Sequence, residues 1–372
     1  MSEPFDVCIR GAGVVGRTLA LLLARDGLRV ALVAEPAAAA GTGADVRAYA
    51  LNGAARALLE SLRSWPDEAF ATAVLGMQVH GDDGGEVDFS AAAQGASALA
   101  WIVDVPALEA RLLDAVRYQP LVELVDAPER AALTVVCEGR SSHARTEFGV
   151  DFEVTPYAQQ AIAARLICEK PHNRIARQWF GHNEVLAFLP LGGAQGNSVA
   201  VVWSVPQERV SSLLTIEPEA FARQLGSASH DALGTLTLDS ERAAWPLQLA
   251  RAKRWVGQQA GQSWALAGDA AHTVHPLAGQ GLNLGLADAA ELARVLHERE
   301  YWRSVGDLRL LRRYERARKA DVISMGLATD GLQQLFARSG GPLQTLRNWG
   351  MNGFDHSGPL KSWLAQRAMG LR

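Results

Sequence analysis

The chain opens with a short apolar strand, Phe5 to Ile9, followed at once by Gly11-Ala12-Gly13-Val14-Val15-Gly16. Apolar residues then recur at helical spacing from Val14 to about Arg25, stop at Asp26-Gly27, and give way to a second strand from Arg29 to Ala34. A small-residue loop, Ala37 to Asp45, precedes Arg47-Ala48-Tyr49-Ala50-Leu51-Asn52 and a helix running through Leu62. Met77 to His80 and Val87 to Phe89 flank the turn Gly81-Asp82-Asp83-Gly84-Gly85, which predicts a hairpin. Leu108 to Val116 patterns as an amphipathic helix and Leu133 to Cys137 as a strand. From Ala161 to Val205 strand-like runs alternate with turns, among them Val185 to Leu189 and Ser198 to Val205. A buried strand at Trp264 to Ala267 leads into a glycine-rich run, then a helix from Leu286 to His297, and the chain is mostly helical from Leu308.

Two stretches carry chemistry. The first is the strand–glycine turn–helix–strand unit, the setting in which GxGxxG rises above a chance match. Gly11 allows the tight turn, Gly13 lets backbone approach a pyrophosphate, and Gly16 lets helix and strand pack closely. That order predicts a site for an ADP-containing dinucleotide, with Glu35 at the end of the second strand placed for ribose hydroxyls. The second stretch is Gly268-Asp269-Ala270-Ala271-His272-Thr273-Val274-His275-Pro276, continuing through Gly279-Gln280-Gly281-Leu282-Asn283. Glycine weakens helices, so several glycines at a helix head suggest backbone approaching a flat, polar-edged ligand. Free helix N–H groups there would favour negative charge.

The expected fold is α/β: a Rossmann-like dinucleotide domain with an interposed β-sheet substrate domain and a helical C-terminus. Its predicted boundaries are 1–75, 98–153 and 257–330 for the discontinuous nucleotide domain, 76–97 and 154–256 for the sheet domain, and 331–372 for the helical region.

Composition narrows the functional classes. The 372 residues are 48% hydrophobic and 20% charged, a globular balance, and the net charge of −4 speaks against general nucleic-acid binding. Cys8, Cys137 and Cys168 are odd in number and far apart, so neither a disulfide framework nor a zinc site is expected. Glu3 and Asp6 near the start, without a basic-then-apolar order, point to a cytoplasmic location rather than secretion. The apolar run from Val14 to Val33 is broken by Arg17, Arg25, Asp26 and Arg29 and does not read as a membrane span.

Taken together, the two glycine-rich stretches resemble flavoprotein hydroxylases of the p-hydroxybenzoate hydroxylase type, and more narrowly the ubiquinone-biosynthesis hydroxylases (UbiH/UbiF/VisC-like). The resemblance also rests on Arg47 before Ala50-Leu51, Trp101-Ile102-Val103-Asp104, Trp245-Pro246-Leu247 and Tyr314-Glu315-Arg316. It implies FAD, reduced by NAD(P)H, whose reaction with O2 gives a flavin hydroperoxide that hydroxylates the ring of a polyprenylated phenol. It further implies that Gly11, Gly13, Gly16, Glu35, Arg47, Gly268, Asp269, Gly281, Leu282 and Asn283 bind the cofactor, Asp269 through the ribityl chain. Pro276, Gly279 and Gln280 would form the flavin-ring environment, and Trp245 and Pro246 a wall of the substrate pocket. His272 and His275 read as parts of the flavin loop that orient it rather than as metal ligands.

Four departures stand against that pattern. Cys137-Glu138-Gly139-Arg140-Ser141-Ser142-His143-Ala144-Arg145 carries Glu138 where the family has a shorter acid. The acidic residue after the second strand falls on Ala34 by count, with Glu35 one place later. Pro106 stands where an arginine is usual, leaving Arg111 as its substitute, and the segment between Val125 and Leu133 is short. Two alternatives stay open: the same chemistry on another aromatic substrate, or a catalytically weak flavin-binding accessory subunit of a quinone-biosynthesis complex. A polyprenyl substrate also implies peripheral contact with the inner face of the cytoplasmic membrane, for which Gly331 to Phe336 and Trp349 to Leu371 are candidates.

Overall fold

The computed structural model describes residues 5–34, 45–81, 85–181, 183–273 and 280–337, with side chains of the last segment from 281 to 323. Glu35, His275, Pro276, Gly279 and the 349–371 stretch lie outside the described residues, as do the side chains of Gln280 and of 331–336.

A six-stranded sheet organises the nucleotide half, in the order Val256–Gln259, Gln262–Leu266, Ala131–Val136, Phe5–Arg10, Val30–Val33, Val122–Val125. Its pairings are parallel except at the Val256–Gln259 edge. The helix Val14–Arg25 connects the first two parallel strands, as the sequence spacing predicts. All four residues of Val30–Val33 are buried, which is what a parallel strand covered on both faces requires. The Val14–Arg25, Val105–Arg117 and Gln280–His297 helices pack here, and Leu19, Leu23, Leu32, Leu108, Leu112, Leu292 and Leu296 join one continuous core. Each such fully buried side chain contributes about 1.5–3 kcal/mol before entropy is subtracted.

A larger sheet runs His272–Thr273, Ala243–Ala252, Phe152–Cys168, Ser198–Pro206, Glu184–Pro190, Ile175–Gly181, Gly76–His80, Glu86–Ser90, with Leu236–Leu238 also pairing Phe152–Cys168. It is antiparallel except between Ile175–Gly181 and Gly76–His80. The Gly76–His80 and Glu86–Ser90 hairpin stands as its turn signal predicts. Trp203, Phe188 and Phe221 fill the core of this half. A three-stranded sheet, Ala48–Leu51, Ala100–Asp104, Ala71–Val74, completes the strands.

One element differs from its expectation. The helix predicted from Leu286 starts at Gln280, so the glycine-rich run forms its first turns. Gly285 is tolerated in that helix because a Cβ there would stand 2.7 Å from Val15 Cγ2. The lost helix propensity of about 1 kcal/mol is offset by close packing on the first helix.

Candidate active site

The first strand ends in a loop whose shape only glycine allows. Gly11 has φ +109°, and a Cβ on it would lie 2.5 Å from Cys137 O. A Cβ at Gly16 would collide with Gly11 O. Gly13 is different: a Cβ there would meet nothing within 4 Å, so its face is open. Gly13 caps the Val14–Arg25 helix with no side-chain hydrogen bond, and the first turn holds no acidic residue. Backbone N–H groups and the positive end of the helix dipole therefore face that opening, the arrangement that receives a phosphate anion.

The second stretch lies at the end of the parallel strand Gln262–Leu266, two places across the sheet from the first strand. The chain turns at Gly268, φ +63°, in a short 3-10 turn through Ala270. A buried carboxylate holds this turn. Asp288, fully buried, accepts from Gly268 N at 2.9 Å, from His272 Nε2 at 2.7 Å and from Arg318 Nε at 2.7 Å. Burial opposes its ionisation, but His272 and Arg318 outweigh that and hold it below the usual carboxylate range. Trp255 stacks on His272 with centroids 4.9 Å apart, and Tyr314 donates to Leu266 O at 2.8 Å. His272 thus braces the turn through the carboxylate it shares with Gly268. No sequence spacing singled out Asp288 and Arg318 as partners.

Asp269 is the contrasting carboxyl. Burial pushes it above the ordinary aspartate range, against the pull of His272 and Arg140. It takes no hydrogen bond from any described residue. Thr273 Oγ1, four residues on, is buried without a partner. A hydroxylated ligand chain would satisfy both groups, which is the chemistry of a ribityl chain. With the open face at Gly13, these residues fit FAD.

Three further elements converge on Asp269. Asn283 clamps the Ala48–Leu51 strand to the Gln280–His297 helix, accepting from Asn52 N at 2.9 Å and donating to Ala50 O at 2.8 Å. Tyr49 on that strand is raised by burial, with Arg47 opposing and Asp269 adding to the rise. Arg47 is held by Asp45 at 2.6 Å and approaches Glu109 at 3.5 Å. Arg140 donates to Pro246 O at 3.3 Å and is felt by both Asp269 and Tyr49. It therefore ties the Trp245-Pro246 strand to the turn, with Trp245 half-buried and Pro246 exposed. Tyr49 and Arg140 are site residues that the sequence motifs did not mark.

Glu138 is fully engaged despite its extra methylene. It accepts from Ser142 Oγ at 2.8 Å and Ala144 N at 2.9 Å, and pairs with Arg10 Nε at 2.8 Å. Arg145, in the same segment, donates to Ala270 O at 3.2 Å, linking it to the Gly268 turn. Arg111 does not come to the site. It lies half-exposed, 3.6 Å from Asp67, in a groove with Leu21, Arg25, Ser61 and Tyr118. The remaining cofactor positions, Gly281 and Leu282, sit in the first turn of the Gln280–His297 helix, and a Cβ at Gly281 would meet nothing within 4 Å.

Comparison with known proteins agrees with this geometry. Residues 125–325 match the model of an FAD binding domain family. Ubiquinone hydroxylase UbiL of Rhodospirillum rubrum is 31% identical over 98% of this chain and 89% of its own length. The 3-demethoxyubiquinol 3-hydroxylase of Escherichia coli is 30% identical over the full length of both. The crystal structure of Pseudomonas aeruginosa PqsL in complex with 2-aminobenzoylacetate superposes with a TM-score of 0.75, covering 94% of this chain and 100% of that one at 21% identity, a likeness of fold. With the FAD binding model covering more than half of it and hydroxylases aligning along its length, the chain belongs to the FAD-binding monooxygenase family.

Proposed function

We propose that this chain hydroxylates the aromatic ring of a polyprenylated phenol on the route to ubiquinone, with FAD as cofactor, NAD(P)H as reductant and O2 as oxidant. The observation that carries the reading is a glycine-lined cradle at Gly13 together with the half-buried carboxyl of Asp269, which has no hydrogen-bond partner among the described residues. Its likeness to two ubiquinone-pathway hydroxylases supports the choice of substrate.

Bound FAD supplies the oxygen-transfer chemistry, so the protein needs neither a nucleophile triad nor a metal. Gly11, Gly13 and Gly16 bind the diphosphate, and Asp269 orients the ribityl chain. The free N–H groups and positive dipole end of the helix beginning at Gln280 would stabilise negative charge on a flavin ring held there. Pro276, Gly279 and Gln280 complete the ring environment, and Glu35 holds the adenosine ribose. Trp245 and Pro246, on the strand tied to Arg140, form a wall that excludes water from the aromatic substrate. In this reading residues 154–256 with 76–97 are the substrate domain.

The purified protein should be yellow, oxidise NAD(P)H, and add one oxygen atom to a prenylphenol. A deletion strain should accumulate the non-hydroxylated precursor. A colourless protein that cannot be reconstituted with FAD, or a normal quinone pool in the deletion strain, overturns the assignment. Among the described residues no helix is long and apolar enough to cross a membrane. We place the protein in the cytoplasm with peripheral contact at the membrane through Gly331 to Phe336 and Trp349 to Leu371, in reach of other quinone-pathway enzymes. Liposome co-sedimentation of the full chain, set against one truncated after Arg338, tests that contact: equal pelleting refutes it.

A further inference from the structure

We propose that Arg17, on the first helix, is a cationic ligand of the FAD diphosphate, the charge that Pro106 at the head of the neighbouring helix cannot offer. The inference rests on FAD binding in the Gly11–Gly16 cradle and names a residue that the glycine motif does not include.

Position and orientation come first. Arg17 N donates to Gly13 O at 3.0 Å, so the two residues are one helical turn apart on a single stripe. Side chains on a helix lean toward its N-terminus, so the Arg17 side chain covers the turn that begins at Gly13. Gly13 is the loop glycine whose outward face is exposed and empty. The Arg17 side chain therefore leaves the helix on the side of its head, where the free N–H groups lie.

The state of the guanidinium is the second observation. Nη1 donates to Glu109 O at 2.9 Å, which anchors one edge to the Val105–Arg117 helix. Nε is buried with no hydrogen-bond partner. No carboxylate among the described residues forms a hydrogen bond or ion pair with Arg17. The carboxylate of Glu109, whose charge acts on Arg17, approaches Arg47 instead, at 3.5 Å. Burial accordingly lowers the Arg17 pKa, and Glu109 offsets this only in part. A half-buried arginine without a carboxylate is costly unless an anion completes it. The helix beneath it supplies a phosphate site at the same end. The stripe continues through Leu21 to Arg25, which lines the outer groove away from the cradle.

The competing role is a simple fastener between the first helix and Glu109 O. Titrations of full-length apoprotein with FAD and with riboflavin, followed by flavin fluorescence, separate the two. Riboflavin carries the ring and ribityl chain but no phosphate. Arg17→Gln should weaken FAD about tenfold to a hundredfold, the loss of one charge-assisted contact, and leave riboflavin within about twofold. Arg17→Lys should recover part of the FAD affinity by restoring the charge, and Arg25→Gln should change neither ligand. The salt dependence of FAD binding should flatten in Arg17→Gln. Unchanged FAD affinity in Arg17→Gln overturns the proposal, as does an equal loss of FAD and riboflavin, which would mark a fastener. If the wild-type chain binds riboflavin but FAD no more tightly, the diphosphate site itself is wrong. If it binds neither, the flavoprotein reading fails.

Discussion

Replacing Asp288 by asparagine removes the single charge on which the cofactor turn hangs. Asp288 is fully buried, and its partner Arg318 is only 4% exposed. One carboxylate oxygen accepts from Gly268 N and His272 Nε2, and the other from Arg318 Nε. Asparagine has one acceptor oxygen and one amide donor. Whichever way the amide points, its NH2 faces a donor: the Gly268 N–H in one orientation, the Arg318 guanidinium in the other. The substitution also leaves Arg318 as a buried cation whose remaining carboxylate, Asp321, is 50% exposed. Removing one member of a buried pair costs about 3–5 kcal/mol, and Asp288→Asn should lose stability on that scale.

Urea unfolding followed by tryptophan fluorescence measures the loss, and Trp255, stacked on His272, reports from beside the site. The double variant Asp288→Asn/Arg318→Met should recover at least about half of it, because it removes the orphaned cation. The pH dependence adds a signed test. Asp288 titrates below its ordinary value in the folded protein. Its contribution is complete above the unfolded pKa of about 3.9 and is lost as pH falls through the lower folded value. That acid limb should be absent from Asp288→Asn. A variant within about 1 kcal/mol of wild type, or strictly additive effects in the double variant, would refute the reasoning.

Three other outcomes follow from the same geometry. Gly13→Ala should leave the apoprotein's stability within about 1 kcal/mol, since its Cβ enters open space, while weakening FAD; Gly16→Ala should destabilise by at least about 2 kcal/mol, since its Cβ strikes Gly11 O. Paired denaturation and FAD titration read both, and a stable Gly16→Ala would contradict the packing. Asp269→Asn should stabilise the apoprotein at neutral pH yet bind FAD more weakly. The Asp269 pKa is raised by burial, so its contribution is present below about pH 3.9 and is lost as pH rises through the folded value. A thermal scan showing Asp269→Asn less stable without FAD would exclude that account. Glu138→Asp should lose about 1–2 kcal/mol, because a carboxylate one methylene shorter cannot reach Arg10, Ser142 and Ala144 together. Unchanged urea midpoints would show that reach is not limiting.

The legible part of the site is the part whose reasons are local. Gly16 answers to the carbonyl of Gly11 five residues back, and Gly11 and Gly268 to the positive φ of their own turns, so spacing alone marks them. The helix from Gln280 was foreshortened in the sequence pattern because glycine's helix penalty is local and its compensation is not. Gly285 meets Val15, far away in the chain. Asp288 and Arg318 were illegible for a similar reason. A charged residue in an amphipathic helix reads as its solvated face, and only the packing of two separate helices buries the pair.

Arg111 shows how one-dimensional counting misplaces a charge. Five residues beyond Pro106, at about 100° per residue, it lies roughly 140° around the helix from the position it was meant to replace. It therefore faces Asp67 and the outer groove. A charge missing from one helix head is more readily supplied by an adjacent helix whose stripe already runs to the opening, which is the geometry of Arg17. The last helix extends the same logic. From a single stretch, Tyr314 binds Leu266 O, Glu315 accepts from Trp255 N and Arg318 binds Asp288. Those contacts fasten both ends of the segment that presents Asp269, so the cofactor turn depends for its shape on the docked helix that begins at Leu308.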